Sequence, residues 1–174
     1  MKNKIALLIT SILLSVFTTS IATAQDKAKK DALVWHTDIN KAQEISKKQK
    51  KPIFAFFTGS DWCGWCHRLQ SNVFAKPEFI VWAKKNVILV ELDFPRRKEL
   101  PQELREQNIS LQQAFQVQGY PTIWIFDLEK DADKKFKIMP LGSLGYPSGA
   151  EPGKEQVKFL STANEILAKK KDKS

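Results

Sequence analysis

Cysteine is almost absent from this sequence: two residues in 174, alongside two histidines, two methionines and two tyrosines. So few thiols supply no disulfide framework to stand in for a core. A chain of this length does not need one, because a single domain of its size buries a substantial apolar interior. Long apolar runs are missing too. The run at residues 5–17 is interrupted by Thr and Ser, and it falls short of the about 20 residues that span a membrane. Acidic residues are the minority, 19 against 28 lysines and arginines, for a formal charge of +9. That balance invites a nucleic-acid partner, but no aromatic-and-basic RNA motif, zinc-finger spacing or helix-turn-helix pattern accompanies it. No nucleic-acid partner is expected, and no internal repeat is present.

Much of the positive charge sits at the ends. Lys2 and Lys4 precede the apolar run, and Ala22-Thr23-Ala24 offers small residues for cleavage before Gln25. Positive, then apolar, then small is the order of a cleaved secretory signal. Residues 1–24 are therefore expected to be a signal peptide. The mature chain, without Lys2 and Lys4, would carry +7 and no stable membrane span, and its location would be the periplasm or outside the cell. No cysteine follows the cleavage site, so no lipid anchor is expected. Residues 25–32 read as a flexible basic N-terminus, 33–169 as one folded domain and 170–174 as a basic tail.

Within the domain, Asp38 can cap a helix that places Ile39, Ala42 and Ile45 on one face. The apolar run 52–57, ended by Thr58-Gly59-Ser60-Asp61, predicts a buried central strand. Leu69, Val73 and Phe74 recur at helical spacing, and Pro77 opens a second short helix. A strand is expected at 87–92, a helix after Pro101 with a break near residues 108–110 and a stop at Gly119, and a strand at 122–126. Residues 135–139 are its hairpin partner. The glycine- and proline-rich stretch 141–153 predicts a loop. A last helix is expected to bury Val157, Leu160, Ala163 and Leu167. Helices alternating with strands, with a late hairpin, make an α/β fold around a mixed central sheet flanked by helices.

The two cysteines are Cys63 and Cys66, in Trp62-Cys63-Gly64-Trp65-Cys66-His67. A bridge three residues apart closes a tiny loop and removes little unfolded-state entropy, so it is a poor staple. Between a buried strand and a helix the pair has another use. Cys63 falls at the helix N-terminus, where unpaired N–H groups favour a thiolate and lower a cysteine pKa from about 8.5 towards about 3.5–7.5. Cys63 is then the attacking sulfur and Cys66 the resolving one, both catalytic. Trp62 and Trp65 offer an apolar rim for an extended peptide. Asp61 reads as a loop cap and His67 as a surface residue of the first helical turn. A pair of cysteines lacks the further ligands that zinc requires, so no metal and no cofactor are expected.

The chain resembles the thioredoxin superfamily, on Trp62-Cys63-Gly64-Trp65-Cys66 after strand 52–57 and on Gly119-Tyr120-Pro121-Thr122 before strand 122–126. Gly59-Ser60-Asp61-Trp62-Cys63 is similar to an exported bacterial group related to periplasmic disulfide-reductase domains. The resemblance implies a thioredoxin fold, a cis bond before Pro121, and a substrate groove shaped by Tyr120 and Pro121. It implies an exported thiol–disulfide oxidoreductase that reduces or exchanges disulfides of envelope proteins. Its partners would be protein thiols and disulfides, and a redox protein that recharges the cysteine pair. Three departures stand out. Phe57 occupies the position six before the first cysteine, where thioredoxins carry a buried aspartate, leaving Glu91 as a candidate proton acceptor. Gly64-Trp65 replaces the Gly-Pro dipeptide. Residues 94–110 form a polar insertion, read as a solvated helical excursion. Two other readings stay open: a non-catalytic binding or assembly module of the same fold, and a c-type haem protein in which His67 is a ligand with Met139 or His36 opposite.

Overall fold

The apolar run forms β2 (Ile53–Thr58), and all six of its residues are buried, as a strand covered on both faces must be. The structure, a computed structural model, describes residues 33–133 and 135–171. The expected signal peptide, the basic segment 25–32 and residues 172–174 of the tail lie outside the described residues. Chain order is β1 (Trp35–His36), α1 (Ile39–Gln49), β2, α2 (Gly64–Leu69) running into a π-helical turn (Gln70–Phe74), α3 (Pro77–Asn86) and β3 (Ile88–Asp93). Then follow α4 (Gln102–Ala114), β4 (Thr122–Lys130), β5 (Phe136–Leu144) and α5 (Glu155–Lys171). The sheet order is β1-β3-β2-β4-β5. β1, β3 and β2 are parallel, while β4 runs antiparallel to both of its neighbours, β2 and β5, with Phe57 opposite Thr122. The carboxyl end of β2, the amino end of β4 and the segment leaving β3 therefore meet at one edge.

Alternation along β2 splits the interior in two. Ile53, Ala55 and Phe57 join an aliphatic-rich core with Ile39 and Ala42 of α1 and Leu111 and Phe115 of α4 and its end. Phe54 and Phe56 point the other way, into rings from Trp35, Phe74, Phe79, Trp82 and Phe159. The π-turn serves this second core. It adds one residue to a turn, so Leu69 and Phe74, five apart, both turn inward. Asp38 caps α1, its carboxylate accepting from the Asn40 N–H at 2.8 Å, and Pro77 opens α3.

Four expectations are corrected. β5 runs on to Leu144, so the loop starts at 145. Gly142 breaks nothing there, because a Cβ at this position would lie 2.9 Å from Ile166 of α5, and Pro140 is tolerated on an edge strand. α4 passes through residues 108–110 without interruption and ends at Ala114, with Phe115 as its C-cap before Gln116 at φ 51°, rather than at Gly119. Asn108 is no helix breaker because its side-chain amide donates to the Asp93 carbonyl at 2.9 Å. Finally, α5 buries Phe159, Ala163 and Ile166, while Val157 is 58% exposed. A strand at Trp35–His36, with no length to show a period, was not expected at all.

Candidate active site

Cys63 is the N-cap of α2, and its Sγ accepts the Cys66 N–H at 3.2 Å. The turn before it is built on Gly59, whose carbonyl accepts the Trp62 and Cys63 N–H groups at 3.2 and 2.8 Å. No larger residue fits at 59, because a Cβ would lie 2.4 Å from the Trp62 indole. Cys63 and Cys66 are joined as a disulfide, with Cα atoms 5.2 Å apart. Cys63 keeps 5% exposure and Cys66 none. The sulfur nearer the surface is thus the one at the helix N-terminus, where backbone donors stabilise negative charge.

Trp62 is fixed from three sides. Its Nε1–H donates to the Phe94 carbonyl at 2.8 Å, Tyr120 meets it edge-on at 5.8 Å, and the Arg96 guanidinium lies 3.8 Å from its ring centre. Phe94 in turn stacks on Tyr120 at 5.2 Å. The Tyr120 hydroxyl accepts from Gln112 of α4 at 2.7 Å. The Tyr120–Pro121 bond is cis. Residues 94–98, expected to be part of a solvated excursion, instead brace the turn that carries the cysteines. The Asp61 carboxylate accepts the backbone N–H groups of Arg96, Arg97 and Lys98, and Asp93 accepts the Ser60 N–H and hydroxyl at 2.7 and 2.5 Å. Trp65 stands on the other side, 53% exposed, edge-on to Tyr146 at 5.0 Å and covered by Arg68 at 4.7 Å. Tyr146 is held by Asn72 at 3.0 Å, and its neighbour Gly145 packs against the Pro121 carbonyl.

Phe94, Arg96, Arg68 and Tyr146 were not singled out in the sequence. Arg68 had a signal, since it lies three residues from Trp65 on one helix. Tyr146 had none, because it arrives from a loop beyond β5. Phe57 lies in an aromatic pocket between Phe94 and Phe115. Glu91, one strand over, has its carboxyl raised by burial first and by the Asp93 charge second. Burial, with help from Asp93, also pushes the Tyr120 hydroxyl up to about 12, so it stays protonated. Asp61 is lowered by its backbone donors. His67 turns its Nε2–H to the Ser60 carbonyl at 2.8 Å, and Met139 pairs with Asp127, towards the far end of the sheet. His67 and Met139 therefore lie at opposite ends of the sheet rather than facing each other across one site. Among the described residues, no group of three or more His, Cys, Asp or Glu is placed to hold a metal ion.

A family profile described as a thioredoxin-like domain matches residues 39–139, from the first residue of α1 into β5. The chain belongs to the thioredoxin-like family. Within that family it is 37% identical over 107 residues to the disulfide bond reductase DsbH of Chlamydia pneumoniae, covering 62% of this chain and 64% of that one. It is 28% identical over 143 residues to the thioredoxin-related protein DsbJ of the same organism, covering 82% of this chain and 39% of the other. The thioredoxin-like chain thus spans less than two thirds of either curated relative. A solved structure described as DsbH oxidoreductase superposes with a TM-score of 0.63 at 32% identity, over 78% of this chain and 85% of the other.

Proposed function

We propose that this chain is an exported thiol–disulfide oxidoreductase that reduces or exchanges disulfides of envelope proteins. One observation carries the reading: the only two cysteines form a disulfide at a helix N-terminus, with the Cys66 N–H aimed at the Cys63 sulfur. Its similarity to a protein named a disulfide bond reductase supports the direction, and the signal-like order of residues 1–24 supports export. Among the described residues no helix is long and apolar enough to cross a membrane.

In the reduced chain the Cys63 thiolate attacks one sulfur of a client disulfide. A mixed disulfide forms and the client's other sulfur leaves, taking a proton. Cys66 then loses its proton and attacks the Cys63 sulfur, releasing the second client thiol and restoring the Cys63–Cys66 bond. Two electrons pass from the chain to the client, and an external dithiol donor resets the pair. Trp62, Trp65, Tyr120 and Pro121 line the path along which an extended client would lie.

Cys66→Ala tests these roles. With no resolving thiol, the variant is expected to accumulate dithiothreitol-sensitive adducts through Cys63, whose partners mass spectrometry identifies. Cys63→Ala should trap little. Equal trapping by both variants would reverse the assignment, and none by either would favour the binding-module reading.

A further inference from the structure

Each tryptophan beside the disulfide carries an arginine on its face, and that pairing goes unused in the exchange chemistry. Arg68 lies over Trp65 and Arg96 over Trp62, and both arginines are exposed. Stacking holds a guanidinium plane in place while leaving its edge N–H groups free to donate. The nearby carboxylates do not claim those edges. Asp61 is taken by three backbone N–H groups, and Asp93 by Ser60. Among the described residues neither arginine is in an ion pair with a carboxylate. All four arginines of the chain fall at 68, 96, 97 and 105; one lysine, Lys98, also reaches the cysteine turn, its Nζ donating to the Ser60 hydroxyl at 3.1 Å, while Lys47, Lys48 and Lys130 cluster at the other end of the sheet. A lysine is a hydrated point charge, whereas a fixed arginine fork matches a carboxylate in two hydrogen bonds.

We propose that Arg68 and Arg96 select clients with acidic side chains next to the disulfide, so that the substrate class is an acidic, extended peptide segment. This rests on the oxidoreductase reading. The guanidiniums cover the rings of Trp62, the residue before Cys63, and Trp65, the residue before Cys66, so a strand lying across the sulfurs brings its flanking residues near one or the other. Holding those residues raises the fraction of encounters in which a client sulfur faces Cys63.

The test uses three synthetic peptides, each with one internal disulfide and differing only in the residues beside its cysteines: glutamate, glutamine or lysine. Each is mixed with the fully reduced chain, and a single turnover is followed by acid quenching, alkylation of free thiols and mass-spectrometric quantification of the reduced peptide. At low salt the glutamate peptide should react about tenfold faster than the lysine peptide, a gap that narrows as salt is added. Arg68→Ala with Arg96→Ala should bring the two rates to within about twofold. Arg68→Ala alone, on an exposed helix face, should remove part of the gap and guards against a folding defect in the pair. Lys47→Ala with Lys48→Ala removes as much charge at the far end of the sheet and should leave the gap as it was. Equal rates for the glutamate and lysine peptides, with the glutamine peptide reacting, would overturn the selectivity and leave the oxidoreductase reading standing. So would a lysine-pair variant that closes the gap as far as the arginine pair does. No reaction with any peptide would overturn both.

Discussion

Glu91 lies half-buried on β3, across from Phe56 and two residues from Asp93. Burial and then the Asp93 charge raise its carboxyl above the ordinary value. A carboxyl raised by folding contributes stability that is full below its unfolded pKa of about 4.3 and is lost as pH rises through the folded value. Glu91→Gln keeps the shape and removes the ionisation. It should therefore raise the melting temperature near neutral pH by a few degrees and leave it unchanged near pH 4, as read by thermal circular dichroism. A lower neutral-pH Tm would contradict this account. The same residue shows what was legible in the sequence and what was not. That Phe57 stands where a buried aspartate was expected needed only the sequence. That Phe57 is closed in by Phe94 and Phe115 depended on an insertion whose path no local pattern indicates. Phe57→Asp would bury an unpaired carboxylate among rings, so it is expected to cost several kcal/mol in urea unfolding rather than to install a working base.

Elements were legible wherever a periodic apolar face was long. β2, α3 and β4 follow from their side-chain patterns, and α1 from its cap. The 94–101 segment was not, because its order comes from partners about 35 residues back. Asp61 reads correctly as a cap, but the groups it caps belong to Arg96, Arg97 and Lys98. This links the loop after β3 to the turn after β2, and through Phe94 to Trp62 and Tyr120. Asp61→Ala should release the three N–H groups while leaving the sheet intact. Hydrogen exchange at 96–98 is expected to quicken by about tenfold with β2 amides unaffected, and Trp62 emission should shift as its Phe94 hydrogen bond loosens. The Asp61 carboxyl is lowered in the folded chain, so its contribution is present above the unfolded value and lost as pH falls through the folded one. Wild-type exchange at 96–98 should accordingly approach that of the variant in acid. Exchange in the variant matching wild type near neutral pH would show that the loop is held by something else.

Across the whole molecule, the cysteine pair depends on an aromatic core laid down from every part of the chain. α2 begins at the cysteines and, through its π-turn, ends at Phe74, whose ring meets Trp35, Phe54, Phe56, Phe79 and Phe159. Phe159 is the contribution of α5, fully buried and within 6.2 Å of the rings of Phe54, Phe74 and Phe79. The sequence pattern placed α5 but chose the wrong stripe on it, because Val157, Leu160, Ala163 and Leu167 share helical spacing as well as Phe159, Ala163 and Ile166 do. Periodicity alone does not choose between overlapping stripes; the sheet does, by presenting Phe54 and Gly142 to one of them. Phe159→Ala would leave a cavity at the centre of this cluster and should cost about 3–5 kcal/mol in denaturant unfolding. Val157→Lys, on the exposed side, should change stability by no more than about 0.5 kcal/mol. Both variants are expected to unfold with the wild-type m-value, so the difference lies in the midpoint. Were Val157→Lys the more damaging of the two, α5 would be rotated on its axis. Its anchorage of the segment that carries the cysteines would then rest on other residues.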